Sequence, residues 1–147
     1  MTSTTVERAD AGSSGILLVQ GAIAGLAGGV VFGIMMAMMG ILPTVGMLVR
    51  QESAIAGFIV HLVISAFIGA IYGLVIGRLA NTIPVALAGG LVNGIVWWIL
   101  GALTLMPLML GMSQMVFVIE QAQWMSLVGH IIYGIVTGLV FFGLRRG

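Results

Sequence analysis

No Asp, Glu, Lys or Arg occurs in residues 11–49, 53–77, 79–119 or 121–144 of this chain. A run of about 20 apolar residues, rising ~1.5 Å per residue as a helix, crosses a hydrocarbon core of ~30 Å. Each charge-free stretch is long enough for that. Inside a bilayer every backbone N–H and C=O must find a partner within the protein, so the spans must be helices. The expected class is therefore all-α: a transmembrane four-helix bundle, multi-pass and integral to the membrane.

The expected spans are residues 16–42, 54–79, 84–106 and 124–144. Residues 1–14 are small and polar and read as a disordered tail. They do not form a signal peptide, because the apolar stretch after them exceeds an h-region and lacks a convincing cleavage site. Residues 15–147 then form one membrane domain. A very short link at residues 80–83 predicts a tight antiparallel hairpin of spans two and three. Asn81 or Thr82 can cap span three, and Pro84 suits a first helical turn.

Four spans put both termini on one side. Arg8, Arg78, Arg145 and Arg146 fall on that side and Arg50 alone on the other. The positive-inside rule then predicts a cytoplasmic (inner) membrane protein with both termini in the cytoplasm. Of the outer links, residues 107–123 place Leu108, Met109, Met112, Met115, Val116 and Ile119 on one broad helical arc. They read as an interfacial helix or an outward extension of span four.

The two halves repeat with an offset of 61 residues. Leu26-Ala27-Gly28-Gly29 matches Leu87-Ala88-Gly89-Gly90, and Tyr72-Gly73-Leu74-Val75-Ile76-Gly77 matches Tyr133-Gly134-Ile135-Val136-Thr137-Gly138. Repeat one covers about residues 22–78 and repeat two about 83–139. Each holds two spans, so the repeats share orientation and imply a pseudo-two-fold axis along the membrane normal. Chance likeness between glycine-rich apolar helices is the alternative.

The glycines are periodic. Gly21, Gly25, Gly29 and Gly33 recur every fourth residue in span one. Gly69 and Gly73, Gly90 and Gly94, and Gly134 and Gly138 do so in the other three. Such small-xxx-small stripes make flat faces that let backbones approach closely, which is how helices associate in lipid. Packing accounts for nearly all of the 23 glycines. A path between the halves is possible but not required.

Cysteine and lysine are absent. Disulfides, cysteine-ligated metal centres and lysine Schiff-base chemistry are thereby excluded. A net charge of +1 gives no footprint for nucleic acid. No nucleotide, zincin or nucleophile-elbow pattern occurs, and an enzyme is the least expected class.

His61 and His130 are the only histidines, and both lie within spans. Intramembrane ionisable residues are functional candidates by default. His61 precedes Arg78 by 17 residues and His130 precedes Arg145 by 15, which places them near one level in the outer leaflet. The repeat disagrees, since it aligns His130 with Gly69. Either span four slides along its axis or the histidines differ in depth by two turns. Beyond Met1, ten methionines cluster toward the outer side, among them Met35, Met36, Met39, Met109 and Met112. Thioether and imidazole form a soft ligand set that suits Cu(I), and His with Met can also ligate the iron of haem b. The plain alternatives are a histidine satisfied by a nearby carbonyl and methionine as flexible filler. Asn93 and Thr137 read as interhelical hydrogen-bonding groups.

The string Met35-Met36-Ala37-Met38-Met39-Gly40-Ile41-Leu42-Pro43, followed by Gly57-Phe58-Ile59-Val60-His61-Leu62, resembles a family of small four-span membrane proteins from bacteria and archaea. That family is known as a domain of unknown function, and some members bear a histidine-kinase label. This chain has no kinase part. The resemblance covers most of residues 15–145 and implies an integral membrane fold without an activity. Three functions stay open: copper or haem handling, a non-enzymatic accessory subunit in a membrane complex or homo-oligomer, and a small-solute or ion conductor acting as an oligomer.

Overall fold

A computed structural model describes the backbone of residues 3–147 and the side chains from residue 13 onward. Its elements are α1 (Ser3–Met38), α2 (Leu42–Gly46), α3 (Ala54–Ile76), α4 (Ile83–Trp97), α5 (Met106–Met109) and α6 (Gln121–Leu144). A π-helical segment, Trp98–Leu105, joins α4 to α5 without a break, and 3-10 turns follow α2 and precede α6. No strand occurs among the described residues. Four helical stretches are long and apolar enough to cross a membrane: Ser13–Met38, Ala54–Ile76, Ile83–Met109 and Gln121–Leu144. Together they make a multi-pass membrane architecture, and its ends are called here the termini end and the far end.

Several expectations change. The backbone from Ser3 is helical, where residues 1–14 read as a tail; residues 1 and 2 lie outside the described residues. No proline interrupts this polar segment, and extending a helix that the span has already nucleated adds one hydrogen bond per residue fixed. The link at residues 107–123 holds no interfacial helix. Gly111 and Phe117 both take positive φ, 72° and 58°, and each ends a turn that a helix would need to continue.

The π-helical segment has a chemical cause. Pro107 has no N–H to offer the carbonyl of Leu103, four residues back, and its ring crowds that carbonyl. The Leu103 carbonyl instead accepts the N–H of Phe117 at 3.1 Å, which ties the link back onto the span. Thr104 donates its hydroxyl to the Ile99 carbonyl at 2.8 Å, five residues back, filling the widened turn.

The Ser53 hydroxyl caps α3 by accepting from the Ala56 N–H at 3.5 Å. Glu120 and Gln123 form a capping box at the start of α6, with the Gln123 amide oxygen 3.1 Å from the Glu120 N–H. Thr82 holds the N-cap position of α4 without a side-chain bond, and Pro84 sits in the first turn.

The helices do not pair as the short link suggests. α1 packs against both α3 and α6, α4 packs against α6, and α3 and α4 touch sparsely although only six residues separate them. α1 is thus the central helix, and it presents two stripes. Gly21, Gly25 and Gly29 meet α3. Ala24, Gly28, Phe32 and Met36 are buried beside them, and Gly28 and Phe32 meet α6. A Cβ on Gly25 would lie 2.7 Å from Gly69 Cα, and one on Gly69 would lie 2.5 Å from Gly25 Cα. Only glycine fits on both sides of that crossing. In the second pair, Gly90 and Gly134 bring each other's carbonyls to the same closeness.

Side chains fill what remains. Leu17, Ala24, Tyr72, Ala80, Ala86, Phe141 and Phe142 form a core layer at the termini end. Phe32, Met36, Leu42, Val45, Ile68 and Tyr133 form the layer toward the far end, covered in part by α2 folding back on α3. Tyr72 donates its hydroxyl to the Ala86 carbonyl of α4, and Tyr133 donates to the Ser65 carbonyl of α3, both at 2.8 Å.

Candidate functional site

The two histidines converge. Phe32, on α1, makes edge contacts with His61 of α3 at 5.2 Å between ring centroids and with His130 of α6 at 4.9 Å. α1 runs between the other two helices, and its Phe32 stands where a Cβ on Gly129 would be. Glycine at 129 is what lets the ring reach His130.

Each imidazole is held by a backbone carbonyl. His61 is buried, and its Nε2 lies 3.0 Å from the Gly29 carbonyl oxygen on α1. The Ser65 hydroxyl stands 3.5 Å from the same nitrogen. Nδ1 of His130 lies 2.8 Å from the Ser126 carbonyl oxygen, one turn back in its own helix, with the Ser126 hydroxyl at 3.4 Å. A carbonyl only accepts, so the hydrogen sits on Nε2 of His61 and on Nδ1 of His130. In the neutral rings, Nδ1 of His61 and Nε2 of His130 keep the lone pairs. The shared contact with Phe32 also settles the depth question: the histidines stand on one level.

The methionines separate. Met36 is buried in the same layer as Phe32, and Met35 and Met106 pack on that layer. Met39 is half-buried. Met109 and Met112 lie exposed at the far end, Met109 with 66% of its surface free. Of the proposed soft ligands, the fold brings His61 and His130 against Phe32, places Met35 and Met36 in or on the same core layer, and leaves Met109 and Met112 on the surface. Among the described residues no group of three or more His, Asp or Glu side chains is placed to hold a metal.

A haem ligated by both histidines does not fit this centre, because the Phe32 ring stands against both imidazoles.

Other polar candidates fall elsewhere. Nδ2 of Asn93 and Oγ1 of Thr137 are buried with no hydrogen-bond partner among the described residues, so neither atom makes the expected interhelical bond. Trp98 is buried, donates its indole N–H to the Gln123 carbonyl at 3.0 Å and stacks near Trp124. Trp97 makes an edge contact with Phe67 at 6.2 Å. Sequence reasoning missed Phe32. Its signal was the second stripe of α1, Ala24-Gly28-Phe32-Met36, which repeats every fourth residue beside the glycine stripe.

Comparison with protein-family models, with curated proteins and with solved structures returns no match for this chain.

Proposed function

We propose that this chain is a non-enzymatic, multi-pass accessory subunit of the cytoplasmic membrane, with both termini in the cytoplasm. The observation that carries the reading is the closed state of its only intramembrane imidazoles. Each ring N–H is spent on a helix carbonyl, and Phe32 is wedged between the rings. A ring N–H already given to a helix carbonyl is not available to a substrate without breaking that bond. The orientation rests on the four-to-one arginine bias.

The same proposal includes a duplicated, glycine-packed bundle. Gly28 faces Tyr133 across α1 and α6, and Gly89 faces Tyr72 across α3 and α4, positions 61 apart in each case (89 − 28; 133 − 72). Within the helix pairs the register differs. Gly33 faces His61 and Gly94 faces His130, which are 61 and 69 apart (94 − 33; 130 − 61). The difference of eight residues is about two turns. A slide of that size between the pairs accounts for two histidines that meet although the repeat does not align them.

A second reading is a site for one soft cation such as Cu(I). Both imidazoles contact the same ring, each keeps one nitrogen lone pair, and Met36 belongs to that layer.

The deciding experiment uses the full chain in mild detergent, before and after incubation with Cu(I). Elemental analysis and absorption spectra would be taken for wild type, His61→Ala and His130→Ala. The accessory reading expects less than stoichiometric copper, no Soret band and a stable complex with a membrane partner in native extracts. Stoichiometric copper lost in both variants would replace it with the cation reading. Ion or solute flux through the pure protein in liposomes would also overturn it.

A further inference from the structure

The termini end carries a built cationic cavity. A cavity of about 310 Å³ opens there, lined by Ser13, Ile16, Leu17, Gln20, Arg78 and Arg145. A smaller one of about 90 Å³ adjoins it through Arg145 and includes Arg146. The arginines are positioned rather than loose. Arg145 donates to the Gly77 carbonyl at the end of α3. Arg78 donates to the Ser14 hydroxyl at 3.3 Å. The Arg146 guanidinium lies 4.4 Å above the Phe142 ring. Gln20 is fixed by donating to the Leu144 carbonyl at 3.1 Å. Ile16, 60% exposed on the first span, adds an apolar side chain to this lining, while Leu17 is buried in the core layer.

We propose that this cavity binds the phosphate headgroup of an anionic phospholipid, with Arg145 as its central contact and Ile16 beside the first acyl carbons. Three features select that ligand. A guanidinium offers paired N–H donors that match phosphate oxygens. The cavity sits where the spans end, at headgroup depth. Exposed Ile16 stands in the same lining as the arginines, so an acyl chain and a headgroup can be met together. A soluble anion would use the arginines and have no need of Ile16. The inference requires only that the four helices cross a membrane, and it stands apart from the role given to the histidines.

The test is binding of phosphatidylglycerol to the full chain in phosphatidylcholine nanodiscs, followed by native mass spectrometry and thermal unfolding. Wild type should retain and be stabilised by phosphatidylglycerol over phosphatidylcholine. Arg145→Gln should weaken retention about fivefold, the effect of one arginine at a membrane surface. Ser13→Glu puts a negative charge into the cavity from an exposed position and should weaken it at least as much. It decides the matter if Arg145→Gln does not fold. Arg50→Gln, at the opposite end, should leave retention unchanged. Equal retention in wild type, Arg145→Gln and Ser13→Glu would overturn the proposal, as would no preference over phosphatidylcholine. Inorganic phosphate that protects as well as the lipid would make this a free-anion site and overturn the lipid assignment.

Discussion

Phe32 occupies the place that a side chain at Gly129 would take, so that a ring on α1 and a bare backbone on α6 form one contact. This contact sets the distance of α1 from α6 at the level of both histidines. Gly129→Ala should force the ring aside and destabilise the bundle by about 1–3 kcal/mol, as overpacking does. Phe32→Ala should cost about 3–5 kcal/mol by leaving a cavity. The double variant should be less unstable than the sum of the two. Unfolding of the four proteins in mixed micelles measures the coupling.

The crossing of Gly25 with Gly69 is backbone on backbone. Gly25→Ala or Gly69→Ala should separate α1 from α3 and lower thermal stability in detergent. Gly101→Ala is the matched control, because nothing lies within 4 Å of a Cβ there. It should be neutral or raise stability by up to about 1 kcal/mol through the lower entropy of alanine. Equal losses at positions 25 and 101 would show that the crossing has no special role.

The two histidine bonds differ in reach. His61 ties α3 to α1, whereas His130 bonds within its own helix. His61→Ala should therefore destabilise by about 1–2 kcal/mol more than His130→Ala, since it also strands a buried interhelical contact. Paired unfolding curves give the difference, and the reverse order would contradict the assignment of these bonds.

Tyr72 and Tyr133 each donate a hydroxyl across a helix interface at 2.8 Å. Tyr72→Phe and Tyr133→Phe keep the rings and remove those bonds. Each should cost about 0.6–1.7 kcal/mol, the range for interhelical hydrogen bonds in membranes. Because the bonds join different helix pairs, the double variant should be close to additive.

The chain has no cysteine, so single cysteines report topology without background. Gln51→Cys should react with an impermeant thiol reagent added outside intact cells, and Asn81→Cys should react only after lysis. The opposite pattern would reverse the proposed orientation.

The membrane class and the four spans were legible in the sequence because they depend on local composition. A charge-free stretch of sufficient length is apolar whatever surrounds it, and the span ends fall within a few residues of the bounds expected from sequence. The irregular pieces were less legible. The Pro107 widening is a local effect in its cause, yet its outcome needs the Phe117 N–H from ten residues downstream. The interfacial helix expected at residues 107–123 failed for the same reason: its apolar arc was real, but two residues with positive φ broke it.

The candidate centre divides in the same way. Sequence alone determined that His61 and His130 lie within spans, that glycine faces exist, and that soft ligands outnumber charged ones. It did so because these properties belong to residue type and spacing. Only the tertiary structure decided that α1 lies between α3 and α6, that His61 and His130 contact one ring, and that this ring is Phe32, beside two imidazoles bonded to carbonyls. Those outcomes depend on which faces meet and at what depth. In an apolar medium, where every helix face is similarly hydrophobic, close packing between shapes settles that choice, and hydropathy cannot.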